Sequence, residues 1–400
     1  MRVLHLTTEF PPVIYGGLGT AVGGWVNGSA RGGIGVGVLL VEGPLPVEFG
    51  SGYGHGGEGW AQPADRRQLV NRQGVRFIRC STADAVEAGL ALMALLRPDV
   101  LHLHTALLWH VAHALKVRTG IPLVYHVHSV DRAEYDLGLE PNPWLAQAAV
   151  QGEVIVSADR LIAISASERA LLEAYYPEAA GRVRVVGNGI DDAPLARRAA
   201  MKPRAAAEPL VLYSGRLVER KGIRELLDAV PLVLARAPTC RFVLAGGPPS
   251  YSGDQVARQW LEPAQEPCRG RIHFTGWLTP DGLAAWYARA DVLVVPSRYE
   301  PFGMVILEGM LYGLPIAAAA VGGPAEILEA GRTGLLFPPR DCGALADALL
   351  LLVGDPLLRA RLGQAARREV RMRWAWPRRV VEMREVYEEL VATRSLSSAA

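Results

Sequence analysis

With 400 residues, half of them hydrophobic and a fifth charged, the chain exceeds a single ordinary core and predicts two domains of roughly 200 residues each. A net charge of +2 selects no particular partner, and no apolar run reaches the ~18 residues of a membrane span. "MRVLHLTTEF" lacks the charged head, apolar middle and cleavage site of a secretory signal, so a cytoplasmic protein without a transmembrane segment is expected, with peripheral membrane contact left open.

"RVLHLTT" predicts a strand, and "GGLGTAVGGWVNGSA" a glycine-rich turn running into a helix. Apolar runs recur at "GVGVLLV", "VRFIRC", "DVLHLHT", "PLVYHVH" and "DRLIAIS", separated by helix-length segments such as 82–96 and 105–118. Strands alternating with helices imply parallel βαβ units under a doubly wound sheet. Segment 43–73 breaks this rhythm; it is turn-rich and aperiodic, as functional or mobile loops are. After an N-terminal domain over 1–187, the pattern is lost again in a proline-bearing linker, 188–209, with Pro194, Pro203 and Pro209.

The rhythm restarts with "LVLYSGR", "RFVLAGG", "RIHFTGW", "ADVLVVPS" and "LPIAAA", predicting a second domain over 210–373. "WAWPRRVVEMREVYEELV" has helical spacing; the C-terminal helix, 374–392, is expected to cross back to the N-terminal domain, and 393–400 to fray as a flexible tail. Nine arginines crowd 359–384. They read either as a patch for nucleic acid or anionic lipid, or as solvated helix faces paired with Glu382, Glu385, Glu388 and Glu389; the nearby acids favour the second, and no nucleic acid is expected as a partner. Cys80, Cys240, Cys268 and Cys342 are too scattered for a zinc pattern or a disulfide framework.

Ligands of open parallel sheets bind beyond the carboxyl ends of the strands, so two such sheets predict a site in the cleft between them. In "YSGRLVERKG", Arg216 falls in the turn and Lys221 at the start of the next helix. A guanidinium fork beside a mobile ammonium suits a diphosphate, and two cations at a helix start run against the helix dipole unless an anion binds there. "YGGLG" at 15–19 can turn backbone N–H groups toward an anion, but it fails the G-x-G-x-x-G pattern of nicotinamide sites.

"SRYEPFGMVILEGM" places Glu300 in a turn and Glu308 inside an apolar helix. A continuous helix would set the two about 80° apart, so they form no metal stripe and instead reach different ends of one ligand. Between them the amides of Phe302, Gly303 and Met304, at a helix N-terminus, can face phosphate or hydroxyl oxygens. Glu308 needs a hydrogen-bonding partner.

These motifs together, Glu300-x7-Glu308, "GR-x4-KG" at 215–222, "NGID" at 188–191 and "GGLG" at 16–19, resemble the family 4 retaining glycosyltransferases (glycosyl transferases group 1). "VLHLTTEFPPVIYGGLG" is also similar to the start of glycogen and starch synthases. The resemblance implies GT-B architecture, two Rossmann-like doubly wound domains facing each other across a cleft. It implies that Arg216 and Lys221 bind the diphosphate of a nucleotide-sugar (UDP-, ADP- or GDP-linked) and that Glu308 holds the ribose hydroxyls. Glu300 and the amides of Phe302, Gly303 and Met304 would contact the transferred sugar and its phosphate. Gly17 would meet the phosphates, and the backbone near Leu278 in "FTGWL" the base. His128 in "YHVHS" matches the family's active-site histidine, with Ser129 departing from the pattern.

Eight of the nine histidines lie in the first half, and His102, His104, His126 and His128 end two strands. Alternate residues share a face, so three readings compete: core or supporting histidines, a sugar-contacting His128, and a zinc site. No carboxylate is placed to join a zinc site, and the chain has no Asp-x-Asp, so no metal and no cofactor are expected. The implied activity is hexosyl transfer with retention to an unknown sugar, glucan or small-molecule acceptor. A nucleotide-sugar 2-epimerase of the same architecture and a non-catalytic nucleotide-sugar sensor are the alternatives.

Overall fold

The computed structural model describes residues 1–11, 17–42, 68–72, 74–138, 143–191, 208–248 and 250–397. Most of the expected linker, and 43–67 of the expected loop, lie outside them. Contacts divide the chain into two compact units, Met1–Gly189 with Trp376–Ala400, and Ile190–Ala375.

In the first unit, β1 (Arg2–Thr7), β2 (Gly35–Glu42), β3 (Gln68–Arg72), β4 (Val75–Ser81), β5 (Val100–Leu103), β6 (Leu123–Val127), β7 (Arg160–Ala163) and β8 (Val183–Val185) form one sheet. Its order is β3-β4-β2-β1-β5-β6-β7-β8. Every neighbouring pair is parallel except β3 and β4, which run antiparallel at the edge with Leu69 opposite Ile78. β3 is a correction: the last residues of the segment expected to be irregular are a strand. "QLVNR" has too little alternation to announce itself, and the ladder is supplied by β4.

In the second unit, β9 (Leu210–Ser214), β10 (Arg241–Ala245), β11 (Ile272–Gly276), β12 (Val292–Val295), β13 (Ile316–Ala319) and β14 (Leu335–Phe337) are all parallel, in the order β11-β10-β9-β12-β13-β14. Each sheet starts near its middle and reverses direction once, between β1 and β5 in the first unit and between β9 and β12 in the second. At such a reversal the loops leaving two neighbouring strands part in opposite directions and open a crevice at their carboxyl ends.

Hydrophobic clusters cover both faces of the first sheet, and the second is buried on both, with Val211, Leu244 and Val294 on one face and Leu212, Leu293 and Ile316 on the other, as parallel sheets require. On one face of the first, α1 (Gly17–Arg31) packs against the C-terminal helix, which spans Trp376–Ser397. That helix extends past Thr393, where fraying was expected. Trp25 is fully buried, donates its indole N–H to Asn188 Oδ1 at 3.0 Å, and meets Trp376 edge-on with ring centroids 5.1 Å apart. Gly24 makes this contact possible: a Cβ there would lie 1.9 Å from Trp376 Cζ2. The arginine run follows the solvated-face reading, with Arg373 paired to Glu369 and both Arg378 and Arg379 to Glu382. No helix among the described residues is long and apolar enough to cross a membrane.

The Trp376 contact gives a stability test. Gly24→Ala forces the indole or the backbone to move, and overpacking of this kind costs about 1–3 kcal/mol. Urea unfolding followed by tryptophan fluorescence should show a loss in that range; an unchanged midpoint would mean the helices do not approach this closely.

Candidate active site

At the reversal point of the second sheet, β9 leads through Gly215 into Arg216, whose carbonyl accepts the Tyr213 hydroxyl at 2.6 Å. Glu219–Lys221 then form a single 3-10 turn, and the helix α2 begins at Ile223, running to Arg236. Lys221 therefore closes a turn before the helix rather than opening the helix. Gly222 between them has φ 72°, and a Cβ at this position would lie 1.9 Å from the Pro296 carbonyl oxygen. Only glycine lets this turn lie against the segment that leaves β12. The two exits are tied by the Arg298 amide, which donates to the Arg220 carbonyl at 2.8 Å.

This close approach brings Lys221 Nζ to 2.6 Å from Glu300 Oε2, with side chains 17% and 9% exposed. Ser297 donates its hydroxyl to the same oxygen at 3.1 Å. Beside them Arg298 Nε donates to Glu225 Oε1 of α2 at 2.6 Å. Burial pushes the Glu300 carboxyl up, but the charge and hydrogen bond of Lys221, aided by Arg220 and Ser297, outweigh it and hold Glu300 below its ordinary value. Glu300 is thus an ionised partner and not a proton donor near neutral pH. Burial lowers Lys221, with Arg220 and Arg216 adding to the effect and Glu300 opposing it.

Glu308 has a different environment. It lies on α3 (Met304–Tyr312), which starts after Gly303, and its Oε2 accepts the Tyr287 hydroxyl at 2.7 Å. Tyr287 belongs to α4 (Pro280–Arg289, lying before α3 in the chain) and stacks on Tyr312, with centroids 5.2 Å apart. Burial raises the Glu308 carboxyl above its ordinary value, opposed by the Tyr287 hydrogen bond. Phe302 is buried against Trp374, and Leu278 sits half-buried at the exit of β11, two strands from β9.

In the first unit Gly17 opens α1 and is exposed, while Tyr15 and Gly16 lie outside the described residues. Five histidines gather at the reversal point of this sheet. One face of its strands reads Val3-His5, Val100-His102-His104 and Val124-His126-His128, the opposite face being leucine-rich. His5 Nδ1 meets His104 Nε2 at 2.9 Å, and His104 Nδ1 meets His128 Nε2 at 3.3 Å. A second row runs from the Tyr387 hydroxyl to His102 Nδ1 and from His102 Nε2 to His126 Nδ1 at 3.2 Å. Burial pushes His5 down to about 3 and holds His102, His104 and His126 well below the usual imidazole range, neighbouring rings adding to it in those three.

Two triads, His5-His102-His104 and His104-His126-His128, have ring nitrogens within 4.8 Å of one another. The rings nevertheless stack, with His126 and His128 only 9° from parallel and His102 and His104 17°. Parallel lone pairs do not converge on a tetrahedral point ~2 Å away, so the geometry favours hydrogen-bonded rows over a zinc centre.

Residues 15–193 match Glycosyltransferase Family 4, and residues 208–355 match Glycosyl transferases group 1. A glycogen synthase of Mycobacterium tuberculosis is 30% identical over 407 residues, covering 97% of this chain and 94% of the relative. The sucrose-phosphate synthase of Thermosynechococcus elongatus superposes with a TM-score of 0.79 at 26% identity, covering 98% of this chain and 100% of that one. Anabaena HepE, solved in complex with UDP and glucose, shares the fold with a TM-score of 0.70 at 20% identity, covering 97% and 99%. The chain belongs to the family 4, group 1 glycosyltransferases of GT-B architecture. It is therefore a transferase, and the non-catalytic sensor is set aside.

The structure thus gathers Lys221 and Glu300 into one buried pair at the reversal point, with Arg216 at the exit of the adjoining β9. It places Glu308 with Tyr287, and Leu278 at a separate strand exit. Sequence reading missed Tyr287, Ser297, His5 and Tyr387. His5 alone had a local signal, since it shares the valine–histidine alternation of the other two strands.

The opposed environments of the two acids have a pH signature. Because Glu308 is raised above its ordinary 4.5, its ionisation opposes folding at higher pH, and the cost disappears once pH falls below the unfolded-state value. Glu308→Gln keeps an acceptor for Tyr287 and removes that cost. The variant should match or exceed the parent's melting temperature at about pH 8, with its relative advantage shrinking toward about pH 4. A variant clearly less stable than the parent at the higher pH would contradict the burial account.

Proposed function

We propose that the protein transfers a hexosyl group, with retention, from a nucleoside-diphosphate sugar to an acceptor hydroxyl, and needs no metal ion. The observation that carries this reading is the buried Lys221–Glu300 pair at the reversal point of the second sheet, with Arg216 leaving β9 beside it. Cleaving a sugar–diphosphate bond moves negative charge onto the leaving group, and preorganised cations facing that charge supply the largest share of catalysis. Lys221 and Arg216 fill that role, while Glu300, held ionised, sets the Lys221 ammonium and touches the transferred sugar.

Glu308 grips the ribose hydroxyls, the amides of Phe302, Gly303 and Met304 meet the sugar and phosphate, and the backbone at Leu278 meets the base. Gly17 serves the phosphates and His128 the transferred sugar. The departing phosphate oxygen takes the acceptor's proton on the same face of the sugar, which gives retention. A UDP-, ADP- or GDP-sugar is the donor class, supported by HepE having been solved with UDP and glucose. The acceptor is a sugar, glucan or small-molecule hydroxyl.

Two measurements test the proposal. In the first, isotopically labelled nucleotide-sugars are incubated with candidate acceptors in EDTA. An α-linked donor should give an α-linked glycoside by NMR, with at most a modest loss of rate. A β-linked product, or activity that requires magnesium or manganese, would refute it; epimerised sugar released without acceptor would establish the 2-epimerase instead.

The second separates the roles kinetically. Ribose is unchanged during reaction, so Glu308→Gln should mainly raise the donor KM. Arg216→Ala, Lys221→Ala and Glu300→Gln should lower kcat by ~100-fold or more, the effect of losing one preorganised group. If Glu308→Gln lowers kcat as severely with donor KM unchanged, the assignment of ribose grip is wrong.

A further inference from the structure

The row His5–His104–His128 is a hydrogen-bonded line of three imidazoles. A neutral imidazole has one donor and one acceptor nitrogen, so the central ring must donate to one neighbour and accept from the other. The row therefore has two proton arrangements. In one, His5 Nδ1–H donates to His104 Nε2, His104 Nδ1–H donates to His128 Nε2, and His128 carries its proton on Nδ1. In the other every proton is reversed, His5 carries an N–H on Nε2, and His128 Nδ1 is a bare acceptor.

The buried end of the row chooses between them. His5 is fully buried and its Nε2 has no hydrogen-bond partner. A buried N–H without an acceptor is the rarer and costlier orphan, so Nε2 of His5 is the bare nitrogen. The row then runs outward from His5, and we propose that His5 and His104 fix the tautomer of His128, leaving Nδ1–H as the donor it offers to a sugar oxygen. His5 and His104 are positioning residues, acting through His128.

The second row holds the first in place, with His102 stacked on His104 at 4.3 Å and His126 on His128 at 4.4 Å. Burial keeps His5 and His104 neutral at physiological pH, so neither takes the second proton that would break the line. An imidazole side chain free in water favours the opposite tautomer, with its proton on Nε2. The row therefore imposes a state that His128 would not adopt alone. Nε2 of His128 is engaged by His104, so His128 donates to the sugar and does not act as a base.

The significance for catalysis rests on the proposed contact of His128 with the transferred sugar, but the tautomer itself is read without any assay. Nitrogen-15 NMR of ring-labelled histidine, with His128 assigned by its loss in His128→Asn, should show Nδ1 protonated and Nε2 bare in the wild-type protein. In His104→Phe the proton should move toward Nε2 and kcat should fall about tenfold, as expected for one misplaced hydrogen bond. His104→Gln, whose amide can accept from His5 and donate to His128, should restore the Nδ1 proton and most of kcat. His5→Phe should loosen the same preference from the far end, a second variant should the first fail to fold. A wild-type His128 protonated on Nε2, or a tautomer unchanged in a folded His104→Phe protein, overturns the proposal. The expected tautomer in a protein that transfers no sugar would instead sink the functional reading and leave the row intact.

Discussion

The second unit turns on one contact, the buried ion pair between Lys221 and Glu300. Removing two charges from water costs several kcal/mol per ion, and the attraction offsets this only when geometry is tight and the remaining polar atoms are satisfied. The fold supplies both conditions. Gly222 lets the β9 turn lie on the chain leaving β12, the Arg298 amide fastens the two exits, and Ser297 adds a second donor to the same carboxylate oxygen. An arrangement this constrained is a poor way to gain stability, since apolar side chains of similar volume often do as well. Under the proposed function, its value lies in keeping an ammonium fixed and partly dehydrated where a developing phosphate charge can use it.

The two carboxylates show how environment divides labour among identical groups. Glu300 faces a cation and is held ionised; Glu308 faces a phenol and is pushed toward its neutral form. A carboxylate whose neighbour only donates a hydrogen bond keeps accepting capacity for further hydroxyls, which suits a diol such as ribose. One locked to an ammonium is suited to placing charge. The eight-residue separation of these acids follows from the turn and the single helical turn between them, and their chemical difference follows from what packs opposite.

Much of this was legible in the sequence, for a definite reason. Strands of parallel sheets are short apolar runs, and polar residues that follow them are candidates for a site, so Arg216, Lys221 and Glu300 stand out as charges where the pattern turns, and Glu308 as an acid inside an apolar helix. The partners did not stand out. Tyr287 lies 21 residues from Glu308 and Tyr387 lies 285 from His102. Both are aromatic residues inside helical patterns, indistinguishable from core until the fold brings them to an acid or an imidazole. The missed strands fail for local reasons: β8 and β14 have three residues each, and β3 is mostly polar. The histidine pairs were visible by alternation, but whether they bind a metal or one another depends on ring planes, which spacing does not determine.

The reversal of strand order yields sites of opposite character in the two sheets. In the second, the exits of β9 and β12 carry guanidinium, ammonium and carboxylate groups, fit for phosphate. In the first, β1, β5 and β6 bring imidazoles that burial keeps neutral. Neutral donors and acceptors in fixed order recognise hydroxyls by direction, whereas fixed charges recognise phosphate by field. A glycosyl donor has both kinds of group, a polyhydroxyl ring joined to a diphosphate. Under the proposed function, a cation among the imidazoles would disfavour the positive charge that develops on the sugar as its bond breaks, so the burial that keeps these rings neutral would also serve the chemistry.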